Sequence, residues 1–153
     1  MTIQLNDDIR GLLLNPSILK VLTTTDAEGE LHVLSDSSIT LDSDGQIIYL
    51  ERIETSQSNS NLVSSLWFKR LVALYVTNGD DAYLIKGYPI RSIISGPQFK
   101  QYYKETLARN PDDDLSTVWI IEPDEIVNES YEFRKKKERT EHPLIMHLDR
   151  LAK

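Results

Sequence analysis

The sequence predicts a mainly β domain, an antiparallel β-barrel of six strands with a few short helices at its rim. Three observations carry that expectation. Hairpin-turn signals recur along the chain, in "DAEGE" about Gly29, "DSDGQ" about Gly45 and "TNGDD" about Asn78 and Gly79. The run "RLVALYV" is apolar on both faces, as a fully buried strand is. A long late strand, "AYLIKGYPIRSII", follows the third turn.

The elements follow in order. In "LNDDIRGLLLNP", Asn6 or Asp7 caps a helix whose Ile9, Leu12 and Leu13 recur at helical spacing, and Asn15-Pro16 stops it. Residues 18–25 are rich in β-formers and make the first strand. From Leu31 the odd positions Leu31, Val33, Ile39 and Leu41 alternate with His32, Asp36, Thr40 and Asp42, which predicts a second strand with one wet face. "IIYLERI" is the third. A short helix is expected over 61–67, then "RLVALYV" as the fourth strand. "AYLIKGYPIRSII" is the fifth; Gly87 and Pro89 mark a bulge or bend in it, with an edge at Pro89. "SGPQFKQYYKETLARNP" predicts a helix with Pro97 at its first position and one face made of Phe99, Tyr102, Tyr103, Thr106 and Leu107. "STVWIIEP" is the sixth strand, and the tail over 142–151 is expected to be helical, with Leu144, Ile145, Leu148 and Leu151 on one side.

Composition narrows the function. At 153 residues the chain fits one domain with a sizeable core, and its hydrophobic and charged fractions are those of ordinary globular proteins. No apolar run is long enough to span a bilayer, and "MTIQLNDDIR" lacks the features of a signal peptide. The absence of cysteine removes disulfide and thiolate chemistry, so a cytoplasmic location is the expectation. A net charge of −7 argues against general nucleic-acid binding, and nothing calls for a membrane. One basic cluster, "FRKKKER" at 133–139, reads first as a solvated face or connector.

The stretch that invites chemistry is "ETSQSNSNLVSSL" at 54–66, where Ser56, Ser58, Asn59, Ser60 and Asn61 crowd the passage from strand to helix. Ser58 or Asn59 can cap the helix, or the loop can hold an anion, because a helix N-terminus offers unpaired N–H groups and partial positive charge. Other candidates are thin. His32 is expected to face solvent. His142 and His147, five apart, do not share a helix side, and no metal set forms around them. Glu51 and Glu54 flank a strand end without visible substrate geometry. Trp67 and Trp119 are expected in the core or at a dimer interface, and Tyr83 either fills the barrel or meets a ligand. There is no Gly-rich phosphate loop and no nucleophile elbow.

On the stretches "VLTTTDAEGELHVLS", "IIYLERIETSQSNSNL", "RLVALYVTNGDDAYLIKGYPI" and "GPQF", covering roughly residues 16 to 122, the chain resembles the pyridoxamine 5′-phosphate oxidase-like split barrels, which bind FMN. The resemblance implies a six-stranded Greek-key split barrel, with 1–153 as a single domain and 124–153 as a C-terminal extension. It implies a homodimer with the cofactor, FMN or a deazaflavin, in clefts at the subunit interface. The activity implied is a flavin-dependent oxidoreductase acting on a small organic substrate. The alternative is a non-catalytic binding module that has lost flavin. In such proteins the loop before the short helix reads Ser-Arg-Lys-x-x-Asn-Leu and holds the flavin phosphate. Here Ser56, Asn61 and Leu62 match, but Gln57 and Ser58 stand where the Arg and Lys belong. The implied phosphate contacts are therefore Ser56, Gln57 and Ser58, with Asn61 orienting the loop. Arg52 is the candidate compensating cation, with Lys86 a second. Thr24, Val33 and Ser35 are the implied contacts to the ring. The tail "ERTEHPLIMHLDRLAK" shows no match to the substrate-binding segment of the full oxidase, so pyridoxamine phosphate is not implied as the substrate.

Overall fold

The computed structural model describes residues 3–143. The helix expected over 142–151 falls, from residue 144 on, outside the described residues, and so does His147. Among the described residues, four helices and seven strands run in the order α1 (Asp7–Leu14), β1 (Leu19–Thr25), β2 (Leu31–Ser35), β3 (Thr40–Leu41), β4 (Ile47–Glu51), α2 (Gln57–Phe68), β5 (Val72–Thr77), β6 (Ala82–Ile93), α3 (Pro97–Arg109), β7 (Thr117–Asn128) and α4 (Tyr131–Glu141). All strand pairings are antiparallel, in the order β2-β1-β5-β6-β7-β4-β3, and the sheet curls into the half-barrel of a split-barrel fold.

The seventh strand corrects the expected six. The period-two pattern from Leu31 to Asp42 continues across a turn, and the backbone does not. The Asp36 carboxylate accepts from the Ser38 N–H and the Asp36 carbonyl from the Ile39 N–H, so the run breaks into β2 and the two-residue β3. The wet face is also reversed in β2. Leu31 and Val33 are exposed, while His32 and Leu34 are half-buried beside the buried Thr24 and Leu22 of β1. As an edge strand β2 meets the core with only these two side chains, and apolar parity alone does not tell which side that is. The run expected to be buried on both faces, β5, is buried on one; its Ala73 and Tyr75 lie half-buried on the outer side.

Local chemistry explains the other boundaries. Asn6 caps α1 by accepting from the Ile9 N–H at 2.9 Å, and the chain leaves the helix at Asn15. The buried Lys20 ammonium donates to the Leu13 carbonyl at 2.6 Å, closing the C-terminal end of α1 from the neighbouring strand. In the first hairpin Asp26 accepts from the N–H groups of Glu28 and Glu30, and Gly29 takes the positive φ of 83° that the turn needs.

Strands β6 and β7 are 12 residues each and give the sheet its bend. Their register shifts between Lys86 and Gly87 and again between Pro89 and Arg91. A methyl group at Gly87 would overlap the Glu122 carbonyl oxygen, so only glycine lets the two strands approach there. Pairing of β6 with β5 ends at Gly87, which leaves Pro89 on the edge side that its missing N–H requires. Residue 124, where the C-terminal extension was expected to begin, lies inside β7.

Two apolar clusters result. The larger fills the curl of the sheet with Leu22, Leu74, Val76, Ile85, Tyr49, Trp119 and the inward face of α1. The smaller lies between Ile48, Leu50, Val118, Ile120 and the Phe99 and Tyr102 side of α3. Strand β4 separates them and is buried at every residue, with Ile47 and Tyr49 in the first cluster and Ile48 and Leu50 in the second. Its last residue, Glu51, shares the parity of Tyr49 and is thereby directed inward.

Candidate functional site

The crowded loop becomes the first turn of α2. The helix starts earlier than expected, at Gln57, and its cap is Ser56 rather than Ser58 or Asn59. Ser56 Oγ accepts from the Asn59 N–H at 3.0 Å. The anion at this helix end belongs to the chain. Glu51, only 4 % exposed, receives the Tyr49 hydroxyl on Oε2 at 2.9 Å. Its other oxygen, Oε1, receives the Ser58 hydroxyl at 2.6 Å and the Ser56 hydroxyl as well. The carboxylate thus lies against the positive end of α2, which has no acidic residue of its own in the first turn. Three hydroxyl donors make its burial tolerable. Burial, and after it the charge of Glu51, holds the Tyr49 phenol well above its ordinary range, so this donor stays protonated.

Three more polar side chains of the turn, Asn59, Gln57 and Asn61, are hydrogen-bonded as well. Asn59 accepts from the Trp119 indole N–H at 2.9 Å and donates to the Glu54 carbonyl at 2.9 Å. Gln57 donates to Asn61 Oδ1 at 2.7 Å, and the buried Asn61 donates to Thr24 Oγ1 at 3.0 Å. Helix α2 is therefore tied to β4, β7 and β1 at once.

Of the candidate residues, the fold brings together Ser56, Gln57, Ser58, Asn61 and Thr24. It does not bring Arg52, Val33 or Ser35 to them. Arg52 follows β4 with the opposite parity to Glu51 and pairs with Asp113 at 3.0 Å and Asp36 at 3.5 Å. Lys86 lies on the outer face of the sheet and pairs with Glu125 at 3.3 Å. Val33 and Ser35 project from the outer face of β2, whereas Thr24 points inward. Tyr83 and Trp119 belong to the core, and Trp67 is 77 % exposed at the end of α2. Sequence reasoning passed over Glu51. The signal was there in principle, an acidic residue at the inward parity of a wholly apolar strand with three serines in the following nine positions.

An FMN phosphate does not fit this turn as the chain builds it. The serine hydroxyls implied as its contacts are engaged by Glu51, the two cations expected beside them are Gln57 and Ser58, and Arg52 and Lys86 are held elsewhere. A buried carboxylate at ~4 Å would add a repulsion on the order of 4 kcal/mol for each unit of phosphate charge at an effective dielectric constant of about 20.

An antiparallel split barrel with a helix closing over one end of the sheet is the class that these features define. Its fold is that of the pyridoxamine 5′-phosphate oxidase-like, FMN-binding proteins. HupZ of Group A Streptococcus superposes with a TM-score of 0.68 at 18% identity, over 84% of this chain and 96% of that one. A candidate pyridoxamine 5′-phosphate oxidase of Lactobacillus delbrueckii gives 0.61 at 20% identity, over 81% and 93%. An FMN-binding protein of Syntrophomonas wolfei gives 0.60 at 18%, over 79% and 83%. These likenesses are of fold. No family model and no curated protein matches the chain.

Proposed function

We propose that this chain is a homodimeric split-barrel binding protein that has given up the phosphate anchor of its flavin-binding relatives in fold. It takes a small ligand without a phosphate group in the cleft between subunits. The observation that carries this reading is Glu51, whose carboxylate occupies the serine-lined N-terminus of α2 where a flavin phosphate would be held. The dimer is supported by the outer face of the sheet. There Leu31 is 73 % exposed, Val33 61 % and Leu19 51 %, beside the half-buried Val21, Tyr75, Leu84 and Val127. An apolar strip of this kind, spread over neighbouring strands, suits the core of an interface of about 800 Å² per partner.

A second reading is an oxidoreductase using FMN or a deazaflavin on a small organic substrate. It is favoured by the fold shared with FMN-binding proteins. In that case Val33 and Ser35, on the outer face, would be the ring contacts, and the isoalloxazine would supply the redox chemistry while the chain positions and shields it.

One experiment separates the two. The purified protein is titrated with FMN, and with a deazaflavin in parallel, following the flavin absorbance and fluorescence. Absence of co-purifying colour and of quenching up to millimolar FMN is the result expected. A yellow protein, or quenching that saturates at micromolar FMN, overturns the first reading in favour of the second.

A further inference from the structure

Among the described residues α4 is the one helix with no buried residue. It runs 11 residues, none of them buried, and carries the basic cluster Arg134, Lys135, Lys136, Lys137 and Arg139 with the exposed aromatic rings of Tyr131 and Phe133. Among the described residues its ties to the rest of the fold lie at its root, where the Arg134 guanidinium also donates back to the Glu129 carbonyl at 3.1 Å. Ser130 is buried, its hydroxyl accepts from the Ala82 N–H at 2.9 Å, and the Glu129 N–H donates to the Ala82 carbonyl at 2.8 Å. Opposite charges four apart, Glu132 with Lys136 and Lys137 with Glu141, support the helix only weakly, and Arg134 turns back to pair with Glu129 at 3.8 Å. Helices of this length without a packed face are marginal in water.

We propose that α4 is an arm that lies across a second copy of this chain, its basic side chains on the acidic turns that end the partner's outer sheet face. Position is the first argument. The root follows β7 directly, where Leu84 pairs with Val127 and Tyr83 with Asn128, so the arm rises from the rim of the apolar outer face. Charge is the second. The helix has five cations against three carboxylates in a chain of net charge −7, so the rest of the chain is more acidic than the whole. Both ends of the outer face carry exposed acids, Glu28 and Glu30 in the β1–β2 turn and Asp80 and Asp81 in the β5–β6 turn. Whichever way two copies face each other, a basic arm of about 16 Å meets carboxylates. The proposal rests on the dimer reading given above.

The test uses the full chain. Dimer dissociation constants are measured by sedimentation equilibrium at low and high salt for the wild type, for Lys136→Glu/Lys137→Glu, and for Lys100→Glu/Lys104→Glu. The last pair makes the same change of charge on α3, which covers the second core instead of the outer face. The arm variant is expected to weaken the dimer at least tenfold more than the α3 variant at low salt, with the difference fading in high salt. Tryptic cleavage within 134–139 should slow as the wild type is concentrated into dimer. A wild type that stays monomeric sinks the dimer reading itself. A wild-type dimer weakened equally by both variants, with cleavage independent of concentration, overturns the arm alone. Protection from trypsin that appears only on adding duplex DNA also overturns it, and assigns the helix to a polyanion instead.

Discussion

Ser58 Oγ lies 2.6 Å from Glu51 Oε1, joining the first turn of α2 to the last residue of β4 inside the protein. A loop that reads as a cradle for a foreign anion is closed around one of the chain's own. Ser58→Ala removes a hydrogen bond to a buried charged group and should cost about 1.5–3 kcal/mol. Glu51→Leu, which leaves three hydroxyls without their acceptor, should cost more than Glu51→Gln, whose amide oxygen still accepts. Urea denaturation of the three variants gives the order.

Tyr49 makes this cluster sensitive to alkali. Burial, then the charge of Glu51, raises its folded pKa above the value of 10.0 that it has when unfolded. Above pH 10 the folded state keeps a proton that the unfolded state releases, so stability falls as pH rises through that range. Tyr49→Phe should lose less of its urea midpoint between pH 9 and 11 than the wild type does.

Asn61 and Thr24 join α2 to β1 at 3.0 Å, both buried. Asn61→Ala and Thr24→Val should each destabilise the protein. The double variant should fall short of their sum by about 0.5–1.5 kcal/mol, the interaction counted twice in the singles. A thermal-denaturation cycle measures it, and strict additivity would deny the contact.

Gly87→Ala tests the close approach of β6 and β7. The added methyl meets backbone at Glu122, which cannot rotate away, so a loss of several kcal/mol is expected, at the upper end for single substitutions. Circular dichroism against temperature would show it, and a change of Tm within a degree or two would contradict the crowding.

Val33→Asp places a charge in the middle of the outer apolar strip while touching no core residue. The variant should remain folded and run as a monomer by light scattering where the wild type runs as a dimer.

Much of this was legible in the sequence, for local reasons. The hairpins, the start and stop of α1 and the Pro97 start of α3 are set by side chains within a few residues of the boundary, as in the Asp26 turn and the Asn6 cap. Gly87 and Pro89 announced the bend of β6 because their backbone limits hold in any context. What was hidden depended on distance. The break at Asp36 was masked by an alternation that happens to keep its phase across the turn. The outward aim of Leu31 and Val33 follows from the edge position of β2, which no local pattern reports. Glu51 read only as one of two acids flanking a strand end because its burial depends on β4 being covered from both sides, and Arg52 read as a site cation because its partners, Asp36 and Asp113, are remote in sequence.

Strand β4 has one further consequence. Its side chains enter the two apolar clusters alternately, and its backbone is paired with β3 on one edge and β7 on the other. No partial opening can release it without disturbing both clusters together. The amide hydrogens of residues 47–51 should therefore exchange with solvent only when the whole chain unfolds, and the two clusters, separate in space, melt as a single cooperative unit.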